Sequence, residues 1–445
     1  MRHTVGRTQQ VSGNKAAEAD ETPGTANARN RVLPGSVQLE LLATIGRFFA
    51  LTENSRPKGR HLRHFDHLPP TLRDELFSVP PGEFDKCSSR TVLATALGAT
   101  LYVPGVRPDL VSVVAKRASE GVRSVVIDLE DAVADQHVEG ALANVTQAII
   151  ALSALAPQSL IFVRVRTPEQ IRHIADGIGH SNSALNGFVL PKFSASTGAR
   201  FLGEILAASE QIGARLFAMP VLETPDVLYR ESRDEALSAI RDLLGQYREI
   251  VLAVRFGATD LCGLYGIRRD RDLTIYHVGV VAELISEVVN HLGRADGTGY
   301  CISGPVWEYF AGHERMFRPQ LRATPFETLD ATAFRRQLLS TDVDGLIREI
   351  VLDRANGLTG KTVIHPSHVA AVHALSVVPH EEFSDACDIL ESDDAGVKAS
   401  GYRNKMNEMR PHRRWAERIK VRAQVFGVAN PDISHVEILT SLSYR

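Results

Sequence analysis

The chain has 445 residues, 44% of them hydrophobic and 23% charged, with a formal net charge of -3. This length can bury a large core and accommodates two or three domains, or one barrel-sized domain with additions. The near-neutral charge argues against bulk affinity for nucleic acid or an anionic membrane, and the scattered Cys87, Cys262, Cys301 and Cys387 form neither a disulfide framework nor a zinc ribbon.

The first thirty or so residues are polar and small and lack an apolar core, which predicts a disordered tail rather than a secretory signal. VQLELLATIGRFFAL (37–51) follows as one amphipathic helix broken by Glu40 and Arg47. In HLRHFDH, His61, His64 and His67 stand three apart, a spacing that could suit a metal, but the segment reads as poorly structured and no metal is assigned to it. Residues 1–91 are therefore set apart as a partly disordered N-terminal extension. No stretch reads as a membrane span, and the cysteine usage points to a reducing cytoplasm.

From about residue 92 short apolar runs recur, each ending in a polar or Gly/Pro-bearing corner, as buried parallel strands do. They are TLYVPG, SVVIDLED, LIFVRVR, GFVLPK, RLFAMPVLET, IVLAVRFGATD, GYCISGP and KTVIHP. Helical stretches separate them, among them VEGALANVTQAIIALSAL, PEQIRHIADGIG, ASTGARFLGEILAASEQIG and VGVVAELISEVVNHL, with DATAFRRQLLSTDVDGLIREIVLDRANG before the last strand. Eight strands alternating with helices predict an α/β fold, a (β/α)8 TIM barrel over 92–378, rather than a doubly wound sheet, which would show a Gly-rich phosphate loop early. Residues 379–445 read as a C-terminal helical appendage. Its basic run YRNKMNEMRPHRRWAERIKVR is a solvated face or subunit contact more economically than a nucleic-acid site, and Trp415 could pack across the interface of a homo-oligomer.

Active sites of such barrels sit at the C-terminal strand ends. Those ends carry Arg107, Asp128, Glu130, Asp131, Arg164, Arg166, Lys192, Glu223, Asp260, Ser303 and His365. Converging acids and bases suit a divalent cation with an anionic substrate. Glu223 and Asp260 follow adjacent strands and would fit Mg2+, which keeps much of its hydration; alternatively each caps the helix that follows. Arg164 could clamp a carboxylate or bridge Asp128 or Glu130. Lys192 could bind substrate or form an ion pair at the mouth, and His365 could act there or simply be hydrogen-bonded. Arginines in LYGIRRDRD and FAGHERMFRPQLR would draw in an anion or balance nearby acids. The insertion around 305–335 could be a lid.

The ordered motifs LYVPGVRPD, VVIDLEDAV, VRVR, VLPK, PVLETP, FGATDL and GKTVIHPSHV resemble the citrate lyase β-subunit-like branch of the HpcH/HpaI aldolase family, over about residues 98–430. TIYHVG and ISGPVWEYF resemble more closely the bacterial TIM-barrel C–C bond lyases. The resemblance implies a Mg2+-dependent lyase or aldolase acting on a carboxylate-bearing 2-oxo or hydroxy acid, or its acyl-CoA thioester, through a metal-stabilised enolate. Glu223 and Asp260 match the family's metal ligands and Arg164 its substrate-binding arginine. Asp128, Glu130 and Asp131, with His365, would surround the metal without ligating it, and Arg107, Lys192 and Glu130 would meet the substrate. No residue stands out as the base; a metal-bound water or a carboxylate of the second-strand cluster, Asp131 among them, could serve. Val106 and Arg166 replace the asparagines of two family motifs, which leaves the substrate open. A phosphoryl-transfer enzyme of the phosphoenolpyruvate/pyruvate-binding barrel type and a non-catalytic metal- and ligand-binding member are the alternatives.

Overall fold

The computed structural model describes residues 61–180, 184–310, 343–392 and 396–443. Its centre is eight parallel strands: β1 (Ala99–Pro104), β2 (Ser124–Asp128), β3 (Leu160–Arg164), β4 (Leu185–Leu190), β5 (Phe217–Leu222), β6 (Ala253–Phe256), β7 (Cys301–Ile302) and β8 (Lys361–Val363). They neighbour one another in the order β7-β6-β5-β4-β3-β2-β1-β8. Beyond β7, Gly304 donates its N–H to the Gly360 carbonyl at 3.2 Å and accepts from the Thr362 N–H at 3.0 Å. These bonds join the two ends of the sheet and curl it into the barrel expected from the eight apolar runs. Val125, Val126, Ile127, Ile161, Phe162 and Val163 have no or almost no exposed surface, which explains why β2 and β3 read as unbroken apolar runs instead of alternating ones.

The outer helices follow from local signals. Pro168–Ile178 starts with proline in its first turn and buries Ile171, Ile174, Ala175 and Ile178, one stripe at helical spacing. Ala195–Ile212 is capped by the Ser194 hydroxyl, which accepts the Thr197 N–H, and it ends at Gly213 in the left-handed region, φ 69°. Val138–Leu155 is long and apolar enough, by composition, to cross a membrane, which the sequence reading did not anticipate. It lies between β2 and β3 and turns Val145, Ile149 and Leu152 inward, as a barrel helix does.

The start of the described chain is more ordered than its composition suggests. Leu62, Phe65, Leu68, Leu76, Phe77 and Phe84 are buried in one core with Leu93, Leu97 and Phe426. His64, fully buried, stacks beside Phe84 and Phe426, with ring centroids at 5.6 and 4.3 Å. Leu62, His64 and Phe65 of HLRHFDH are thus packed into the core, while His61 stands exposed. The cluster closes the N-terminal end of the barrel, where His373 accepts the Ala99 N–H at 3.4 Å. Phe77–Val79 pairs antiparallel with Val428–Ala429, so the two ends of the described chain are clasped together. Helix Met409–Phe426 buries Ala416, Ile419 and Ala423 and leaves Arg410, Arg413, Arg414 and Trp415 exposed. The tail expected to be disordered and the helix expected over 37–51 lie outside the described residues, as do most of the 305–335 insertion and residues 330–342 of the helix expected before β8.

Candidate active site

β2 and β3 set Asp128 and Arg164 side by side in register. Arg164 Nε and Nη2 donate to the two oxygens of Asp128, both at 2.6 Å, the two-pronged geometry that a guanidinium offers a carboxylate. Its Nη1 reaches Asp131 at 3.1 Å and Glu130 at 2.9 Å. Burial works against the charge of Arg164, but the Asp128 hydrogen bonds and charge outweigh it and hold the proton more tightly than usual. The bland alternative for Arg164 is thus what its geometry shows, and one N–H on Nη2 is left outside these contacts. Burial raises the Glu130 carboxyl, helped by its hydrogen bond to Asp131 and opposed by Lys192 and Arg164. Asp131 also suffers burial, yet Glu130, Arg164 and Lys192 together hold it low.

Lys192 follows β4 with φ at 47°, a conformation seldom taken by a residue with a side chain. Its N–H donates to Glu223 at 2.7 Å, and its ammonium bonds Glu130 and lies 3.8 Å from Asp131 and 3.9 Å from Asp260. Glu223 closes β5 and is 4% exposed. Burial, with Asp260 and Glu130 nearby, pushes its carboxyl up to about 7. Gly257, after β6, lets Glu223 sit where it does: a Cβ there would fall 1.8 Å from Glu223 Oε2. Asp260 stands in the first turn of helix Ala258–Gly263 and is raised by burial and by Asp131. Asp128, Glu130, Asp131, Arg164, Lys192, Glu223 and Asp260 therefore form one connected group.

Other expected residues lie elsewhere. Arg107 closes its fork on Asp109 at 3.0 and 2.8 Å, exposed and outside the group. His365 accepts the Ser367 N–H on Nδ1 at 3.3 Å and stacks on Phe310, centroids 4.4 Å apart; burial lowers its pKa, and it does not touch the carboxylates. Arg166 braces the loop after β2, donating to the Leu129 carbonyl at 2.9 Å, the Glu130 carbonyl at 2.8 Å and Asp135 at 2.6 Å. In LYGIRRDRD, Arg269 is 3% exposed and paired with Glu349, so it balances an acid and does not await an anion. FAGHERMFRPQLR beyond Phe310 lies outside the described residues.

Two features escaped the sequence reading. Arg164 and Arg255 both lie over the Tyr102 ring, 5.4 and 5.7 Å from its centroid. Arg255, 1% exposed, donates to Thr362 at 2.7 Å but has no carboxylate partner among the described residues. A strong apolar run hides both in β1 and β6. Lys361 is wholly buried against Glu349 at 2.9 Å and Asp353 at 2.6 Å, and Tyr276 donates to Asp353 at 2.9 Å. The signal for this second network was available: two acids four apart on one helix, ahead of a lysine opening a strand.

A family model described as the C–C bond lyase of the TIM-barrel fold matches residues 91–428. The chain belongs to that family. Its members are carbon–carbon bond lyases, and the barrel and the charged strand ends fit that membership. Among solved structures, a citrate lyase from Burkholderia xenovorans LB400 is 17% identical with a TM-score of 0.50, covering 78% of this chain and 96% of that one. The CitE protein from Mycobacterium tuberculosis, in complex with magnesium, acetoacetate and coenzyme A, is 19% identical with a TM-score of 0.47, covering 74% and 99%. A Haloferax volcanii malate synthase complex with magnesium and glyoxylate is 16% identical with a TM-score of 0.43, covering 62% and 73%. At 17% identity the Burkholderia structure bears on the fold alone. A search of curated proteins returned no match.

Proposed function

We propose that this lyase makes or breaks a carbon–carbon bond beside a carbonyl in a carboxylate-bearing 2-oxo or hydroxy acid, or in its acyl-CoA thioester, with Mg2+ held by Glu223 and Asp260. One observation carries the reading: five carboxylates, Asp128, Glu130, Asp131, Glu223 and Asp260, gather where, among the described residues, two side-chain cations contact the group, Arg164 and Lys192. Like charges so close and half-buried repel. Burial first, and this repulsion beside it, raise the carboxyls of Glu223 and Asp260, and a divalent cation would offset both.

The donor set fits that ion. Both groups are hard carboxylates just beyond adjacent strands, Glu223 after β5 and Asp260 in the helix after β6, and Mg2+ takes one or two such ligands while keeping its waters. No group of three His, Cys, Asp or Glu able to hold a metal occurs among the described residues. The ordered motifs shared with the citrate lyase-like aldolases point the same way. When bound, the ion would act as a Lewis acid toward the oxygen that gains negative charge as the bond breaks.

The chain's own groups do the rest. Arg164, fixed by Asp128, offers its spare Nη2 N–H and its charge to the substrate carboxylate. Lys192 contributes a second positive charge. Asp131, half-exposed and ionised, accepts the hydroxyl proton in the cleavage direction and returns it in condensation. Arg166 holds the loop bearing Glu130 and Asp131 in place.

A thermal-shift screen with and without Mg2+ against 2-oxo acids, hydroxy acids, acyl-CoA thioesters and sugar phosphates tests the substrate class. A ligand at a hundred times its Kd adds about 2.7 kcal/mol of stability. Mg2+-dependent stabilisation by an oxo or hydroxy acid or a thioester is expected; a response confined to sugar phosphates would overturn the assignment.

A further inference from the structure

Lys192 combines two features that ion pairing alone does not require. Its backbone occupies the left-handed region although it is not glycine. That conformation is imposed from both sides, since the Lys192 N–H is held by Glu223 and the next N–H, that of Phe193, by the Val221 carbonyl at 3.1 Å. Backbone strain of this kind persists only where surrounding contacts enforce it, and it concentrates at working sites. The strained turn directs the ammonium back into the carboxylates, against Glu130, near Asp131 and 3.9 Å from Asp260. The side chain is nevertheless 52% exposed, so a path to solvent is open and the ammonium can leave without unpacking the core.

We propose that Lys192 is the internal counter-ion of the metal site: its ammonium neutralises Glu130, Asp131 and Asp260 in the metal-free protein, and a divalent cation displaces it toward the mouth, where it meets the anionic substrate. This inference rests on the metal assignment to Glu223 and Asp260. It adds a consequence that the assignment alone lacks. Metal and lysine compete for the same negative charge, so the affinity for metal is set below what the carboxylates would reach unopposed. The order of binding follows, with metal first and substrate second, because only the metal frees the lysine.

The competition is measurable without knowing the substrate. Mg2+ binding is titrated calorimetrically in the full-length wild type, in Lys192→Met and in Lys192→Gly. The methionine keeps the length of the side chain without its charge; glycine adopts the left-handed backbone freely, so one folded variant is secured even if the other fails. Both retain the N–H held by Glu223. At least tenfold tighter Mg2+ binding in the variants is expected, and unchanged or weaker binding beside a wild type that does bind would overturn the counter-ion role while leaving the metal site standing. Absence of binding in all three proteins would overturn both. A second readout follows displacement directly: acylation of Lys192 by an N-hydroxysuccinimide ester, read by peptide mass spectrometry against the exposed Lys116. Labelling should rise several-fold when Mg2+ is added, and labelling that stays constant or falls would refute the release of the ammonium.

Discussion

At the scale of single residues, Glu223 depends on a neighbour with no side chain. Alanine at Gly257 would place a methyl group 1.8 Å from Glu223 Oε2 and 2.6 Å from its Cβ. Something must move, and because Cβ is met as well as the carboxylate, Glu223 must shift as a whole and not only turn its carboxylate. Gly257→Ala is therefore expected to remain folded but to weaken Mg2+ binding at least tenfold by calorimetry; wild-type affinity would show that the carboxylate position does not matter. Glu223 and Asp260 were legible in the sequence because each ends an apolar run with an acid. Which of the acids lie together was not, since that depends on register and on rotamers. Arg107 shows the limit: it stands at a strand end as Arg164 does, yet an aspartate two residues on captures it.

Among the elements, two fastenings hold the barrel, one at its mouth and one where β8 begins. Arg166 pins the loop after β2 through backbone carbonyls, so Arg166→Ala should leave the strands protected while amide hydrogen exchange rises across residues 129–135. Unchanged exchange there would mean that the loop holds itself. The second fastening ties helix Asp344–Ala355 to β8 and to the segment after β6 through Lys361, Glu349, Asp353, Arg269 and Tyr276. Burial pushes the Asp353 carboxyl up to about 6 even with Lys361 beside it. Breaking a buried ion pair from one side typically costs about 3–5 kcal/mol, and Lys361→Met should lose stability of that order in urea unfolding. The eight strands were readable because parallel strands covered on both faces are nearly all apolar. These cross-links were not, because their partners lie as far apart in sequence as Arg269 and Glu349, and nothing local announces which charges will meet.

Across the whole molecule, stability should depend on pH through histidines buried at the base of the barrel and under its C-terminal helices. Burial lowers His64 to about 3 and His435 to about 4, and holds His373 well below 6.5. Such a histidine stays neutral in the folded chain, whereas the unfolded chain binds its proton near pH 6.5, so its contribution is fully present above that value and falls as pH drops below it. The raised carboxyls of Glu223 and Asp353 act in the opposite sense, taking up protons in the folded chain first. A single histidine is best isolated by difference. His373→Gln keeps an acceptor for the Ala99 N–H and removes one proton uptake, so the stability gap to wild type should narrow by about 1.4 kcal/mol per pH unit below about pH 6. Denaturant unfolding at pH 7 and pH 5 measures it, and a constant gap would contradict the assignment.

The central claim is that Glu223 and Asp260 hold the ion on which the carbon–carbon chemistry depends. Calorimetric titration of Mg2+ into the wild type, Glu223→Ala and Asp260→Ala tests it most directly, with circular dichroism to establish that each variant is folded. Binding to the wild type and its loss in both variants is the predicted result; wild-type affinity in either folded variant would contradict it.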